Sequence, residues 1–406
     1  MGKVRVTYQP NTSQPKPLTA HQRLSFHHDG PHRVIHGMFL LLILMTVPQQ
    51  GICQGRFIQG EMVDAAVNAE MKRQNIVGIA IGIIQDAQVI YTKGYGCSDI
   101  KSHTPVTDDT IFNWASNSKP LMSIAALQLV QNGDLNLDKA IVSYCPNLPD
   151  QLQPITTRQL LCHQSGIPHY SNGTVISSRE AANKAEKSYL LDELDPIESI
   201  SRFTLSPLRF EPGSQTGYSS YAYVLLSAVV QAAGNEPISA QLEDRIINPL
   251  NLTSFQLDLH ANQQANWTRA YEILDGKPAE VPDSPHFWKH GAGGYKSNVK
   301  DFAKFATALA NSTLIDQAMS TAMWTRQTTT DGKESSYGLG VVVSNSGNSL
   351  KISHNGSQDE TRTRMVVYPN GRHGIVVMCN TQGSQPAKIT TAIYSALRNL
   401  NDALPD

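Results

Sequence analysis

Apolar positions recur at helical spacing over residues 61–75, "EMVDAAVNAEMKRQN", and the period then shortens. The runs "VGIAIGIIQ" (77–85) and "AQVIYTKGYG" (87–96) predict two strands joined by a tight turn near Asp86. Residues 114–290 read as helical pieces broken by Pro and Gly. "AALQLVQNG", "TTRQLLCHQSG" and "SYAYVLLSAVVQAAG" each close on a glycine suited to end a helix. Short β-like runs return in "YGLGVVVS", "LKISHNG", "RTRMVVYPNG" and "HGIVVMCN", before a final helix "KITTAIYSALRNL". The pattern thus predicts a sheet domain built from both chain ends, residues 56–113 plus 291–406, with a mainly helical lobe, 114–290, inserted between them.

Composition narrows the function classes. The 406 residues carry 33 Lys plus Arg against 34 Asp plus Glu, and the charged fraction is 17%, so neither a nucleic-acid surface nor an acidic-polymer partner is expected. Cys53, Cys97, Cys145, Cys162 and Cys379 show no Cys-x-x-Cys spacing, and there is no His-Glu-x-x-His. No metal or other cofactor is therefore expected. Cys145 and Cys162 could pair after export or remain buried free thiols. Residues 38–47, "MFLLLILMTV", are too few to span a bilayer, which needs about 20 apolar residues, but suit the apolar core of a signal peptide within 38–55. The expectation is export to a periplasm or the exterior, with membrane attachment only through that segment if it stays uncleaved. Residues 1–37 form a polar extension, disordered, or untranslated if Met38 is the true start.

Candidate chemistry centres on "NWASNSKPLMSIAALQLVQNG", residues 113–133. Ser116 and Lys119 are three apart, so on a helix they share a face and the amine can reach the hydroxyl. A serine needs a neighbouring base to become a nucleophile, and a helix N-terminus adds N–H groups for a developing oxyanion. The same spacing joins Ser13 to Lys16 in the polar extension and Ser297 to Lys300. Ser297 reads as the N-cap of the helix "NVKDFAKFATAL". The glycines of "GAGGYKS" lack the order of a phosphate loop.

Read together, "FNWASNSKPLMSIAALQLVQNGDLNLDKAIVSYCPNLP", "ITTRQLLCHQSGIPHY", "FEPGSQTGYSSYAYVLLSAVVQAAGNEPIS", "GAGGYKSNVKDFAKFATAL" and "ISHNGS" occur in the order of one family. The chain resembles the class C β-lactamase and penicillin-binding-protein-like serine hydrolases over nearly everything after Gly60. The resemblance implies an α/β fold: an antiparallel sheet flanked by N- and C-terminal helices in three layers, with an inserted helical lobe and no cofactor. It implies Ser116 as nucleophile and Lys119 as its partner, with Tyr218 of "GYSS" accepting the serine proton and later activating water. An ordinary Tyr titrates near 10, so a Lys119 ammonium is expected to favour the phenolate. His354, Asn355 and Gly356 match the strand motif, and the backbone N–H groups of Ser116 and Ser357 would form the oxyanion hole.

Departures from the family pattern shape the substrate expectation, a small-molecule or peptide-like acyl compound. Ser220 stands where the family usually has Asn, and His354 where it often has a lysine that holds a carboxylate. Both lean away from β-lactam hydrolysis and toward an ester or amide hydrolase. A D-alanyl-D-alanine carboxypeptidase, a β-lactamase, or a catalytically weak binding member are the alternatives. Tyr170, with Ser171 and Asn172, is a rival to Tyr218 but reads as a pocket-wall residue. His163 reads as structural, and Arg362 and Arg364 as solvent-facing on a strand. In the turn after the strand that carries His354–Ser357, Asp359 or Glu360 would receive an ammonium-bearing substrate unless the turn is only solvated.

Overall fold

A computed structural model describes residues 59–398 except 171–172, 177–194, 260–265, 283, 285 and 348. The signal-like segment, the polar extension and Cys53 lie outside the described residues. The chain opens with α1 (Gly60–Gln74), which ends where Asn75 turns into the left-handed region at φ 53°. Strands β1 (Gly78–Gln85) and β2 (Gln88–Asp99) follow, and the turn between them falls on Asp86 and Ala87, both with positive φ. Two-residue turns of that hand match the twist of the strands they join.

Short strands β3 (Thr104–Pro105) and β4 (Phe112–Asn113) lead into the lobe helices α2 (Ser118–Asn132), α3 (Thr157–Leu161) and α4 (Tyr221–Gly234). Next come β5 (Gln256–Leu257), the hairpin β6 (Ala270–Leu274) and β7 (Lys277–Val281), then β8 (Tyr295–Ser297) and α5 (Val299–Ala310). The chain closes with β9 (Val342–Ser346), β10 (Ser349–Gln358), β11 (Thr361–Tyr368), β12 (His373–Cys379) and α6 (Pro386–Arg398). The main sheet has the order β3-β2-β1-β12-β11-β10-β9. Every pairing in it is antiparallel, and β1 against β12, with Ile79 opposite Cys379, joins the two chain ends.

Both faces of this sheet are covered, so β1 and β12 are apolar almost without alternation. On one face Val63 and Val67 of α1 and Ile389 and Ile393 of α6 pack on Ile79, Ile81 and Ile375. On the other, Val299, Phe302 and Ala306 of α5 meet Ala80, Val376 and Met378 in a core that continues into the lobe through Leu121, Ala125 and Leu225. This is the three-layer α/β/α arrangement.

The mainly helical lobe also contains strand structure. Residues 270–281 form a hairpin whose turn, Asp275-Gly276, has positive φ at both positions. That Asp-Gly pair is the sequence signal for it. Chain from beyond residue 291 also returns to the lobe: the helix Gln317–Met323 lies in this stretch, and the Gly340 N–H donates to the Leu161 carbonyl at 3.0 Å. Ser297 is not the cap of α5. Asn298 holds that position, its side chain accepting from the Asp301 N–H, while Ser297 Oγ accepts the Trp114 indole N–H at 2.7 Å. Cys97, Cys145, Cys162 and Cys379 are free thiols, three of them buried, so the pairing of Cys145 with Cys162 is not made. Arg364 is not simply solvated either; it is half-buried and donates to Asn355 Oδ1 at 2.6 Å.

Trp114 ties β4 to α5 directly under the Ser-x-x-Lys turn. Its ring centroid lies 4.7 Å from that of Phe302 and 5.5 Å from that of Phe305, and it is wholly buried. Trp114→Ala is expected to lower unfolding free energy by about 3–5 kcal/mol, read from urea denaturation followed by circular dichroism.

Candidate active site

The chain reaches Ser116 through a strained corner. The Trp114 N–H donates to the Tyr295 carbonyl at 2.8 Å, and the Ala115 N–H donates to Asn113 Oδ1 at 2.6 Å. Ala115 sits at φ 49°, a left-handed conformation costly for a residue with a Cβ. Ser116 follows in a single 3-10 turn, Ala115–Asn117, that runs directly into α2. The nucleophile candidate thus lies just ahead of the α-helix proper and still three residues before Lys119 on the same face.

Lys119 is completely buried. Its Nζ lies 3.2 Å from Ser116 Oγ, 3.0 Å from Ser220 Oγ and 2.6 Å from the Ala292 carbonyl. Burial pushes its pKa well below the usual lysine value, and the Lys289 charge adds to the effect. Tyr218 donates its hydroxyl proton to Ser116 Oγ at 2.8 Å, and burial raises its pKa. The expected protonation pattern is therefore reversed. Burial of the amine and of much of the phenol favours a neutral pair over an ammonium beside a phenolate.

Two histidines hang the Tyr-Ser-Ser turn in place. The Ser219 N–H donates to His163 Nδ1 at 3.3 Å, and the Ser220 N–H donates to His169 Nδ1 at 3.2 Å. Both rings must be neutral to accept these bonds, and burial lowers both pKa values, His163 far below the usual histidine range and His169 to about 4. His163 is thus structural, its ring packed 4.4 Å from that of Tyr218. The matching role of His169 was not foreseen, although both histidines stand in "CHQSGIPHY".

The opposite wall is β10. His354 is buried, its Nδ1 donates to the Asn355 carbonyl at 2.8 Å, and burial drives its pKa down to about 3, so it carries no charge near neutrality. Asn117 ties this strand to the nucleophile's turn, with its amide nitrogen 3.2 Å from the His354 carbonyl and its oxygen 3.3 Å from the Gly356 N–H. Gly356 is where the strand comes closest. A Cβ there would stand 2.0 Å from Thr363 Oγ1 and 2.5 Å from the Trp114 carbonyl, so the residue serves the approach of two backbones and does not line the cavity.

That cavity, about 370 Å³, brings together Ser116, Tyr218, Ser220, His354, Asn355 and Ser357. Tyr170 also lines it, as expected of a wall residue, whereas Ser171 and Asn172 lie outside the described residues. Tyr337 and Gln358 line it as well and went unread in the sequence; "SSYGLG" carries no chemical spacing, and tertiary packing alone brings Tyr337 to His163. Asp359 does not belong to the site: it is exposed in the turn after β10 and absent from the lining.

Its neighbour Glu360 is buried and committed elsewhere. It accepts from the Ser284 N–H and hydroxyl, both at 3.0 Å, and lies 3.1 Å from His286 Nε2. Burial alone would raise its pKa, but the His286 bond and the Lys296 charge prevail and hold it at about 2. Asp258, His286 and Glu360 place potential ligand atoms within 4.8 Å of one another. Lys296, however, is 2.8 Å from Asp258 Oδ1, with both side chains buried. A divalent ion would have to displace that ammonium, and the group is a buried polar network that pins the end of β10 against β5 and β8.

A family model described as Beta-lactamase matches residues 63–399. Among curated proteins, Protein flp of Staphylococcus aureus (strain MRSA252) is 22% identical over 350 residues, 84% of this chain and 66% of its own length. The human mitochondrial serine beta-lactamase-like protein LACTB is 27% identical over 293 residues, 57% of this chain and 53% of its own. The chain thus spans about two thirds of the first relative's length and about half of the second's. Among solved structures, the D-amino acid amidase of Ochrobactrum anthropi SV3 aligns with TM-score 0.69 at 21% identity, covering 84% of this chain and 99% of that one.

Two outcomes follow from the buried groups. His354 binds a proton at about 3 when folded and near 6.5 when unfolded. Between these values the unfolded chain holds more protons, so stability is expected to fall as pH drops from about 6.5 toward 3. Between pH 7 and pH 4, urea unfolding should show a loss smaller by on the order of 3 kcal/mol in His354→Asn than in the unaltered protein. Gly356→Ala should cost about 1–3 kcal/mol in the same measurement, because neither backbone can withdraw without breaking the Asn117 bridge.

Proposed function

We propose that this chain, which belongs to the beta-lactamase family, is a serine hydrolase that cleaves an ester or amide through an acyl-enzyme on Ser116. The observation that carries the reading is the meeting of Ser116 Oγ with the buried Lys119 amine at 3.2 Å and the Tyr218 hydroxyl at 2.8 Å. A neutral lysine amine has two protons and one lone pair. The two protons suit the Ala292 carbonyl and Ser220 Oγ, which leaves the lone pair for the Ser116 proton.

Acylation then proceeds as Ser116 passes its proton to Lys119 and its oxygen attacks the carbonyl carbon. The backbone N–H groups of Ser116 and Ser357 hold the oxyanion, each donor worth roughly a hundred- to a thousandfold in rate. The leaving group takes the Tyr218 proton as its bond to carbon breaks, and the resulting phenolate is stabilised by the new Lys119 ammonium, whose Nζ lies 5.1 Å from the ring centroid. In deacylation, water gives its proton to Tyr218 and its oxygen to the acyl carbon, and Lys119 returns a proton to Ser116. Kinship with an amidase structure supports amides beside esters. The neutral His354 offers no fixed charge for the carboxylate of a β-lactam on that strand. Export directed by residues 38–55 is part of the same reading.

Labelling by a fluorescent fluorophosphonate tests it. Label should appear on the unaltered protein and be absent from Ser116→Ala and Lys119→Met, with Tyr218→Phe slower in ester turnover by about a hundredfold or more and Tyr170→Phe retaining activity. The labelling rate should climb with pH as Lys119 loses its proton, reaching its plateau well below pH 10.5. Failure of the folded protein to label would point instead to a binding member of the family.

A further inference from the structure

We propose that Gln358 is a positioning residue for the oxyanion hole, tying the strand that carries Ser357 to the chain packed against the Ser116 corner. The inference rests on the acyl-transfer reading above and concerns how that site keeps its two backbone donors at one spacing.

The two donors belong to separate stretches of chain. Ser116 stands in the turn that opens at Ala115, and Ser357 lies near the end of β10. β9 pairs with β10 from Ser349 to Ser353, so residues 354–358 have β11 along one edge and the cavity along the other. A strand bordered by a cavity has no ladder of hydrogen bonds to fix it from that side. Asn117 holds this stretch at Gly356, and Ser284 and His286 hold the chain beyond it at Glu360. Gln358 supplies a tie between those points, its Nε2 donating to the Gly293 carbonyl at 2.6 Å.

Gly293 is the other half of the clamp. A Cβ on it would stand 2.5 Å from Gln358 Nε2 and 3.4 Å from the carbonyl carbon of Ala115, so the residue fills the gap between the strand's side chain and the nucleophile's corner. Its N–H donates to the His290 carbonyl at 3.1 Å, and the carbonyl before it, that of Ala292, accepts from Lys119. His290 adopts φ 40° and ψ −122° to turn the chain this way, a conformation costly for a residue with a Cβ. The orientation of the Gln358 amide is fixed, because reversing it would set two carbonyl oxygens against each other. Gln358 lines the cavity, yet this N–H is committed to the main chain and its Oε1 is buried, meeting no donor among the described residues. The amide is thus held as a strut between strand and loop. An oxyanion hole works while both N–H groups reach one oxygen at about 2.7–3.1 Å, and misalignment costs rate more than affinity because the charge develops only in the transition state.

The test uses 4-nitrophenyl butyrate and its thionoester, in which sulfur, a weaker acceptor, replaces the carbonyl oxygen. The oxygen-over-sulfur preference in kcat/KM then reports donor alignment. Gln358→Met keeps the length of the side chain without the N–H, and Gly293→Ala pushes the amide away without altering it. Both variants, shown to be folded by circular dichroism, should lose kcat for the oxygen ester about tenfold or more with KM within about twofold, and should narrow the preference by a similar factor. If Gly293→Ala does not fold, Gln358→Met decides alone. A folded Gln358→Met with kcat and preference unchanged overturns the tie. So does a raised KM with kcat unchanged, which would place Gln358 in contact with substrate instead. Absence of fluorophosphonate labelling in the unaltered protein overturns the acyl-transfer reading, and the role of Gln358 with it.

Discussion

A lysine amine buried against a serine, where desolvation weighs against its charge, is the constraint on which this structure turns. Keeping an isolated ammonium in an apolar interior costs several kcal/mol, and releasing the proton avoids most of that cost. Lys119 is enclosed by a carbonyl at 2.6 Å, two hydroxyls and two aromatic rings, with no carboxylate among these neighbours to hold a charge.

Three remote stretches must converge for this to hold. The turn before α4 brings Tyr218 and Ser220, the segment before β8 brings Ala292, and the strained corner at Ala115 presents Ser116. Each is positioned by residues outside the proton path. His163 and His169 receive the N–H groups of residues 219 and 220, Asn117 bridges to β10, and the Glu360 network fixes the end of that strand. Gly356 lets β10 approach within contact of the Trp114 carbonyl. Rigid supports of this kind let a site hold its geometry without reorganising during reaction.

The departures from the family pattern form a consistent set. Ser220 keeps a polar contact to Lys119 but lacks an amide to grip a substrate, and the buried His354 is neutral. The strand motif thereby carries no fixed positive charge of its own, and a cation on that side of the cavity is Arg364, bonded to Asn355 Oδ1 at 2.6 Å.

The sequence by itself determined what depends on spacing. The short apolar runs marked the sheet strands, the Asp86 turn marked the first hairpin, and Ser116 with Lys119 fell on one face because they are three residues apart. Family order then brought Tyr218, Ser220, His354 and Ser357 to the same cavity. The hairpin at Asp275-Gly276 was legible in principle, since its turn chemistry is local. Only the tertiary structure decided the rest: that Asn298 rather than Ser297 caps α5, that Asp359 faces solvent while Glu360 is enclosed, and that burial weighs against charge on both Lys119 and Tyr218. Each of these depends on which distant chain removes water from a side chain, and desolvation is a property of the packed whole that no local pattern records.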